Sequence, residues 1–172
     1  GRTLITGITG FVGPYLARKL LDANYEVYGL FRRRSDGNMP KRLVETGILD
    51  RIKLIEGDIT DLTSLLFALD KVQPDVIFHL ASQSYVPRSF ADPLETFRIN
   101  SLGTQNLLEA VRLKDLDSKV VFAGSSEEYG LQIASEKHYE QTLKKYGIIF
   151  PEPERVPELP VSEKNPLRPM SP

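Results

Sequence analysis

The run Thr6-Gly7-Ile8-Thr9-Gly10-Phe11-Val12-Gly13 follows directly on the short apolar stretch Thr3-Leu4-Ile5 and leads into a helical pattern. A glycine-rich turn joining a strand to a helix at the head of a chain admits few folds. Over Val12 to Ala23, apolar residues at Val12, Leu16, Leu20 and Leu21 lie close to one helix face, and Asn24 marks the stop. Glu26 to Phe31 reads as a second strand, which completes a βαβ opening.

The same rhythm continues along the chain. After a polar loop from Arg32 to Gly37, Met39 to Leu49 reads as a short helix ending near Gly47, and Lys53-Leu54-Ile55-Glu56 as a third strand. Thr60 or Asp61 caps a helix running to about Lys71, with Leu62, Leu65, Leu66 and Leu69 facing inward. Asp75 to Leu80 is a nearly continuous apolar strand, as expected when both faces are covered. One long helix is predicted from Leu94 to Leu113, and Lys119 to Ala123 is the fifth strand. Alternating strands and helices predict an α/β fold of Rossmann type, a doubly wound parallel sheet with ligands at the carboxyl ends of its strands. Ser135 to Tyr146 suits a charged amphipathic helix. Seven of the 12 prolines follow residue 150, so residues 151–172 read as an extended segment crossing a surface.

Composition narrows the partners. A chain of 172 residues, 41% hydrophobic, buries one substantial core and suits a single domain, 1–172, with 131–172 as an insertion and Pro-rich extension. With 22 basic and 23 acidic residues interspersed, nothing favours nucleic acid. The absence of cysteine removes disulfides, thiolate catalysis and Cys-ligated metal, and no metal site is expected. No apolar run is long enough to span a membrane and no signal-peptide pattern opens the chain, so a cytoplasmic protein is expected. The chain begins at Gly1-Arg2 without Met, and is expected to be trimmed.

In the glycine run, Gly7, Gly10 and Gly13 allow a tight turn, close approach to a pyrophosphate and helix packing. The helix start at Thr9, Phe11 and Val12 offers N–H donors to phosphates, which makes the run a dinucleotide cradle. About 20 residues further on, NAD binders carry Asp or Glu for the ribose 2′-hydroxyl. Here Arg32-Arg33-Arg34 stand instead, suited to the 2′-phosphate of NADP, although Asp36 lies close and a solvated basic loop is the plain alternative. Asp58 either accepts from the adenine amine or serves as a turn residue before the helix cap. Leu80-Ala81-Ser82-Gln83-Ser84 offers small residues where backbone passes a cofactor. Gly124-Ser125-Ser126-Glu127-Glu128-Tyr129-Gly130 groups hydroxyls and carboxylates suited to acid–base work, with turn capping by Ser125 and Ser126 as the alternative. His79, inside an apolar strand, is read as a core residue with a satisfied ring, and no role is given to it. Tyr15 and Lys19 have the Tyr-x-x-x-Lys spacing but sit on the helix leaving the phosphates, and are rejected as a catalytic pair.

Together with Gly57-Asp58-Ile59, His79 to Ser84, Asn100-Ser101-Leu102-Gly103-Thr104 and Ser125 to Gly130, the glycine run resembles the extended short-chain dehydrogenase/reductase family over nearly the whole chain. Pro160 to Glu163 and Leu167 to Pro172 add to a resemblance to the GDP-mannose 4,6-dehydratases and the GDP-4-keto-6-deoxy-mannose reductases. The resemblance implies an NADP-dependent lyase that oxidises the sugar at C4, loses water across C5 and C6, and returns hydride to C6. Ser125 then holds the C4 hydroxyl, and Glu127 moves the proton between C5 and the leaving hydroxyl. Arg32 and Arg33 match the NADP phosphate, Asp58 and Ile59 the adenine, and Leu80, Ala81, Ser82, Gln83 and Ser84 the segment along the cofactor. It also implies a GDP-mannose substrate and a homo-oligomer, for which the 94–113 helix is a candidate surface, its apolar positions being equally explained by packing on the sheet. Three departures stand out. The sequence stops at Pro172, before the family's Tyr-x-x-x-Lys pair, so this piece is expected to be silent by itself. The Leu131 to Pro160 connection is long, and Glu95 stands where many dehydratases carry tyrosine. The reductase, a UDP-sugar 4-epimerase and a non-catalytic NADPH-binding module are the competing expectations.

Overall fold

The computed structural model describes residues 1–33, 38 and 40–172, in two compact units, Gly1–Ala123 and Gly124–Pro172. Arg34, Ser35 to Gly37 and Met39 lie outside the described residues, so the expectations placed on Arg34 and Asp36 and on the start of the second helix fall there.

The first unit is a five-stranded parallel sheet of β1 (Arg2–Thr6), β2 (Glu26–Phe31), β3 (Lys53–Glu56), β4 (Val76–His79) and β5 (Lys119–Phe122), in the order β3-β2-β1-β4-β5. β1 is central, and the chain reverses winding direction between β1 and β4, where Thr6 lies opposite His79. That reversal opens a crevice at the carboxyl ends of the strands. Successive residues of a strand face opposite sides, so Leu4 and Ile5 of β1 serve two cores. Leu4, Leu30 and Ile77 pack with α3 (Leu62–Val72) and α6 (Gly103–Leu113) through Leu65, Leu69 and Leu107. On the other face Ile5 and Val27 pack with Ala17 of α1 (Val12–Asp22) and Leu43 of α2 (Lys41–Glu45).

The helix boundaries follow local chemistry. Asn24, at φ 62°, ends the turn after α1, and Asp61 caps α3 by accepting from Thr63 N at 3.0 Å. In α3 Leu65 and Leu69 are fully buried with Ala68 and Val72, while Leu62 and Leu66 are only partly covered. α2 is shorter than expected, followed by a 3-10 turn at Leu49–Arg51.

The single helix expected from Leu94 is instead composite. An unexpected α4 (Val86–Ala91) precedes it, Asp92 restarts the helix by capping α5 (Pro93–Phe97), and a π turn (Arg98–Leu102) leads into α6. No helix among the described residues is long and apolar enough to cross a membrane.

In the second unit Ser135 caps α7 (Glu136–Tyr146), accepting from His138 N, and Gly147 closes it at φ 77°. Beyond it the prolines leave no helix or strand, as expected. The segment is nevertheless more than a surface strap, because Glu158 and Arg168 within it are buried.

Candidate functional site

Gly7 begins the site. Its φ of 73° is open to glycine, and a Cβ there would come within 2.8 Å of Ala81 N, so only a bare backbone lets the end of β1 lie against the end of β4. Gly10 N donates to Gly7 O at 2.9 Å and closes the turn. α1 then starts with no side-chain cap at Phe11 and no acidic residue in its first turn. Its unpaired N–H groups and positive dipole end therefore lack an internal anion.

These residues line a cleft of about 800 Å³. The cleft brings together Gly7, Thr9, Gly10, Phe11, Val12 and Gly13 with Arg32 after β2, Asp58 and Ile59 after β3, and the whole of Leu80, Ala81, Ser82, Gln83 and Ser84 after β4. Arg33 is exposed and is not part of the lining. Asp58 turns out to be a turn residue as well as a lining one: Thr60 N and Thr60 Oγ1 both donate to its Oδ1 at 2.8 Å. Gln83 also lines the cleft, but its polar atoms are engaged locally. Its amide nitrogen donates to Tyr85 O and Thr96 Oγ1, and its Oε1 accepts from Tyr85 N.

A polar chain holds this segment. Asn100, in the π turn, accepts from Gln83 N at 2.7 Å and donates to Gln83 O at 3.0 Å. Thr104 Oγ1 donates to Asn100 O at 2.6 Å, so towards His79 Nε2, 2.9 Å away, it acts as acceptor. The ring proton therefore sits on Nε2, leaving Nδ1 to accept from Thr6 Oγ1 at 2.7 Å, while Thr6 Oγ1 itself accepts from Ala81 N. His79 is the satisfied core residue expected of it, and burial lowers its pKa, which keeps the ring neutral. Asn100 appeared in the sequence only as part of a motif, and Thr104 with it; their spacing gave no hint that a π turn would aim them at the β4 loop.

The cleft also takes in Arg88 and Ile99, which the sequence did not single out, and Glu95, which it marked only as standing where many dehydratases carry tyrosine. Arg88 Nε donates to Glu95 Oε2 at 2.7 Å, and both line it together with Ile99. An ion pair between α4 and α5 could be anticipated only once α4 was known to exist.

In the second unit, Ser125 Oγ accepts from Glu127 N at 3.2 Å and caps a 3-10 turn (Ser126–Glu128). The capping reading therefore holds locally, and it leaves the hydroxyl proton of Ser125 to donate elsewhere. Ser125 and Glu127 are exposed.

The family model described as GDP-mannose 4,6 dehydratase matches residues 4–146. The chain belongs to this family. Among curated members, the GDP-mannose 4,6-dehydratase of Yersinia enterocolitica is 41% identical over 143 residues, covering 76% of this chain and 37% of that protein. The Sinorhizobium fredii enzyme of the same name is 36% identical over 177 residues, covering 98% of this chain and 43% of its own. The chain thus spans about two-fifths of the length of these relatives. Among solved structures, the UDP-glucose 4-epimerase from Brucella ovis in complex with NAD superposes with a TM-score of 0.63 at 26% identity, over 84% of this chain and 47% of that one.

Proposed function

We propose that the cleft binds NADP and that the protein is a nucleotide-sugar 4,6-dehydratase converting GDP-mannose to GDP-4-keto-6-deoxy-mannose. The observation that carries this reading is the uncapped start of α1 opening on the same cleft as Arg32. The helix start suits a diphosphate, and Arg32 lines the cleft after β2 where an NAD binder would carry an acid. The relatives named GDP-mannose 4,6-dehydratase and the NAD complex of the epimerase support the substrate and cofactor classes.

In this reading Gly7 to Gly13 hold the diphosphate, Arg32 the 2′-phosphate, Asp58 and Ile59 the adenosine, and Leu80 to Ser84 the remainder of the cofactor. NADP when bound supplies the hydride acceptor and donor for a reaction with no net redox change. Ser125 donates a hydrogen bond from its free hydroxyl to the sugar O4 and fixes it. Glu127 takes the proton from C5 as the C5–H bond breaks and delivers it to the hydroxyl departing from C6, so that water leaves.

The test is to incubate the longest natural polypeptide carrying these 172 residues with GDP-mannose and catalytic NADP+ and to follow mass and absorbance. Loss of one water without net NADPH formation is expected. Consumption of NADPH only when a 4-keto-6-deoxy sugar is supplied would replace the dehydratase with a reductase, and no binding of NADP would overturn both.

A further inference from the structure

Within the second unit, the Pro-rich segment sends a buried ion pair against the chain that leaves Ser125 and Glu127. Arg168 and Glu158 meet as a two-pronged pair, Nη1 to Oε2 at 2.7 Å and Nη2 to Oε1 at 2.8 Å, with side chains 4% and 2% exposed. Arg168 Nε donates to Pro151 O and Nη1 also to Leu131 O, so four of its guanidinium N–H groups are placed. Glu158 Oε2 accepts from Ile133 N at 2.6 Å.

The backbone repeats the attachment. Arg168 N donates to Tyr129 O, Leu131 N donates to Arg168 O at 3.0 Å, and Gly130 pairs with Arg168 as a parallel bridge. Gly130 sits at φ 49°, and a Cβ there would collide with the Arg168 carbonyl. Tyr129 N is in turn bonded to Ser126 O, and Glu128 N to Ser125 O, so the turn bearing Ser125 and Glu127 continues without a break into the clamped segment at Tyr129 to Ile133.

We propose that Glu158 and Arg168 are positioning residues that fix the loop Ser125–Gly130 in its working geometry. The inference rests on the reading that Ser125 and Glu127 act on the substrate. A well-packed apolar pair in place of a buried ion pair is commonly neutral or better for stability, so stability alone gives no reason for charges here. What an apolar pair cannot do is set direction: a planar fork bound to one carboxylate and two carbonyls holds residues 131, 133, 151 and 158 in one arrangement.

The experiment compares Arg168→Lys and the double variant Glu158→Leu/Arg168→Met with the unaltered protein, in the longest natural polypeptide. Three quantities are read: NADP affinity, the separate kcat and KM for GDP-mannose, and amide hydrogen exchange at Glu127, Glu128 and Tyr129. Expected are an unchanged NADP Kd, a KM within about threefold and a kcat lower by roughly 100-fold, the loss typical of a small misplacement. Exchange at the three amides should accelerate at least tenfold. A folded double variant with the original kcat overturns the proposal, as does unchanged exchange in both variants. If the double variant does not fold, Arg168→Lys, which keeps the charge but not the fork, decides by the same readings. If the unaltered protein turns over no nucleotide sugar, the proposed function fails and the exchange measurement alone judges the clamp.

Discussion

Replacing Thr104 by Val tests the polar chain behind the β4 loop. Valine matches threonine in shape, so no cavity forms and the change is confined to one hydroxyl. Two hydrogen bonds disappear, one from His79 Nε2 at 2.9 Å and one to Asn100 O at 2.6 Å. His79 is 2% exposed, so its N–H cannot turn to water. A buried donor left without a partner costs about 1–3 kcal/mol. The lower end applies if the proton moves to Nδ1, where Thr6 Oγ1 can accept it. In a domain stable by about 5–15 kcal/mol, the loss should lower Tm by roughly 2–12 °C. Urea unfolding at pH 7.5 should show a lower midpoint with an unchanged slope. A double-mutant cycle with Thr6→Val should show coupling above about 0.5 kcal/mol, because both hydroxyls act on one ring. Nitrogen NMR of the imidazole in the unaltered protein should find the proton on Nε2. A destabilisation below about 0.5 kcal/mol, or a proton on Nδ1 before any mutation, would refute the reasoning.

Other expectations follow from the same structure. Arg32→Ala should weaken NADP binding about 10- to 100-fold while NAD changes less than about threefold, read by calorimetry; equal losses for both would remove Arg32 from the 2′-phosphate. Burial holds the pKa of His79 below its ordinary 6.5, so below pH 6.5 the unfolded chain gains a proton that the folded one refuses. Stability should therefore be full above pH 6.5 and decline as pH falls towards the folded value, and His79→Gln should abolish that part of the slope. In the second unit burial raises the pKa of Glu158, but Arg168 and the Ile133 N–H more than offset it and hold the pKa below 4.5. Its contribution should persist above pH 4.5 and vanish as pH falls through the folded value, with Glu158→Gln flattening the acid limb of the melting curve. Thr3 Oγ1 is buried on β1 with no hydrogen-bond partner among the described residues, so Thr3→Val should stabilise by about 1 kcal/mol; a loss of stability would reveal a partner.

Much of the cleft was legible because its parts are short and local. Gly7 to Gly13, Asp58 and Leu80 to Ser84 each end a strand, and a parallel sheet gathers strand ends at one edge. Of the two arginines described after β2, Arg32 lines the cleft and Arg33 does not. The composite helix was illegible for a different reason. Asp92 as a cap, and Asn100 bonded to Gln83 17 residues earlier, depend on a partner that periodicity does not register.

The amino-acid order by itself determined the alternation of strands and helices, the position of the glycine turn and the family, since each is written in neighbouring residues a few positions apart. Tertiary structure alone decided which charges are buried. Glu158 and Arg168 look in the sequence like any solvated pair in a proline-rich tail. They become a clamp only because the chain folds back on Tyr129 to Ile133, where the partners of a buried charge must be supplied from distant segments rather than by water.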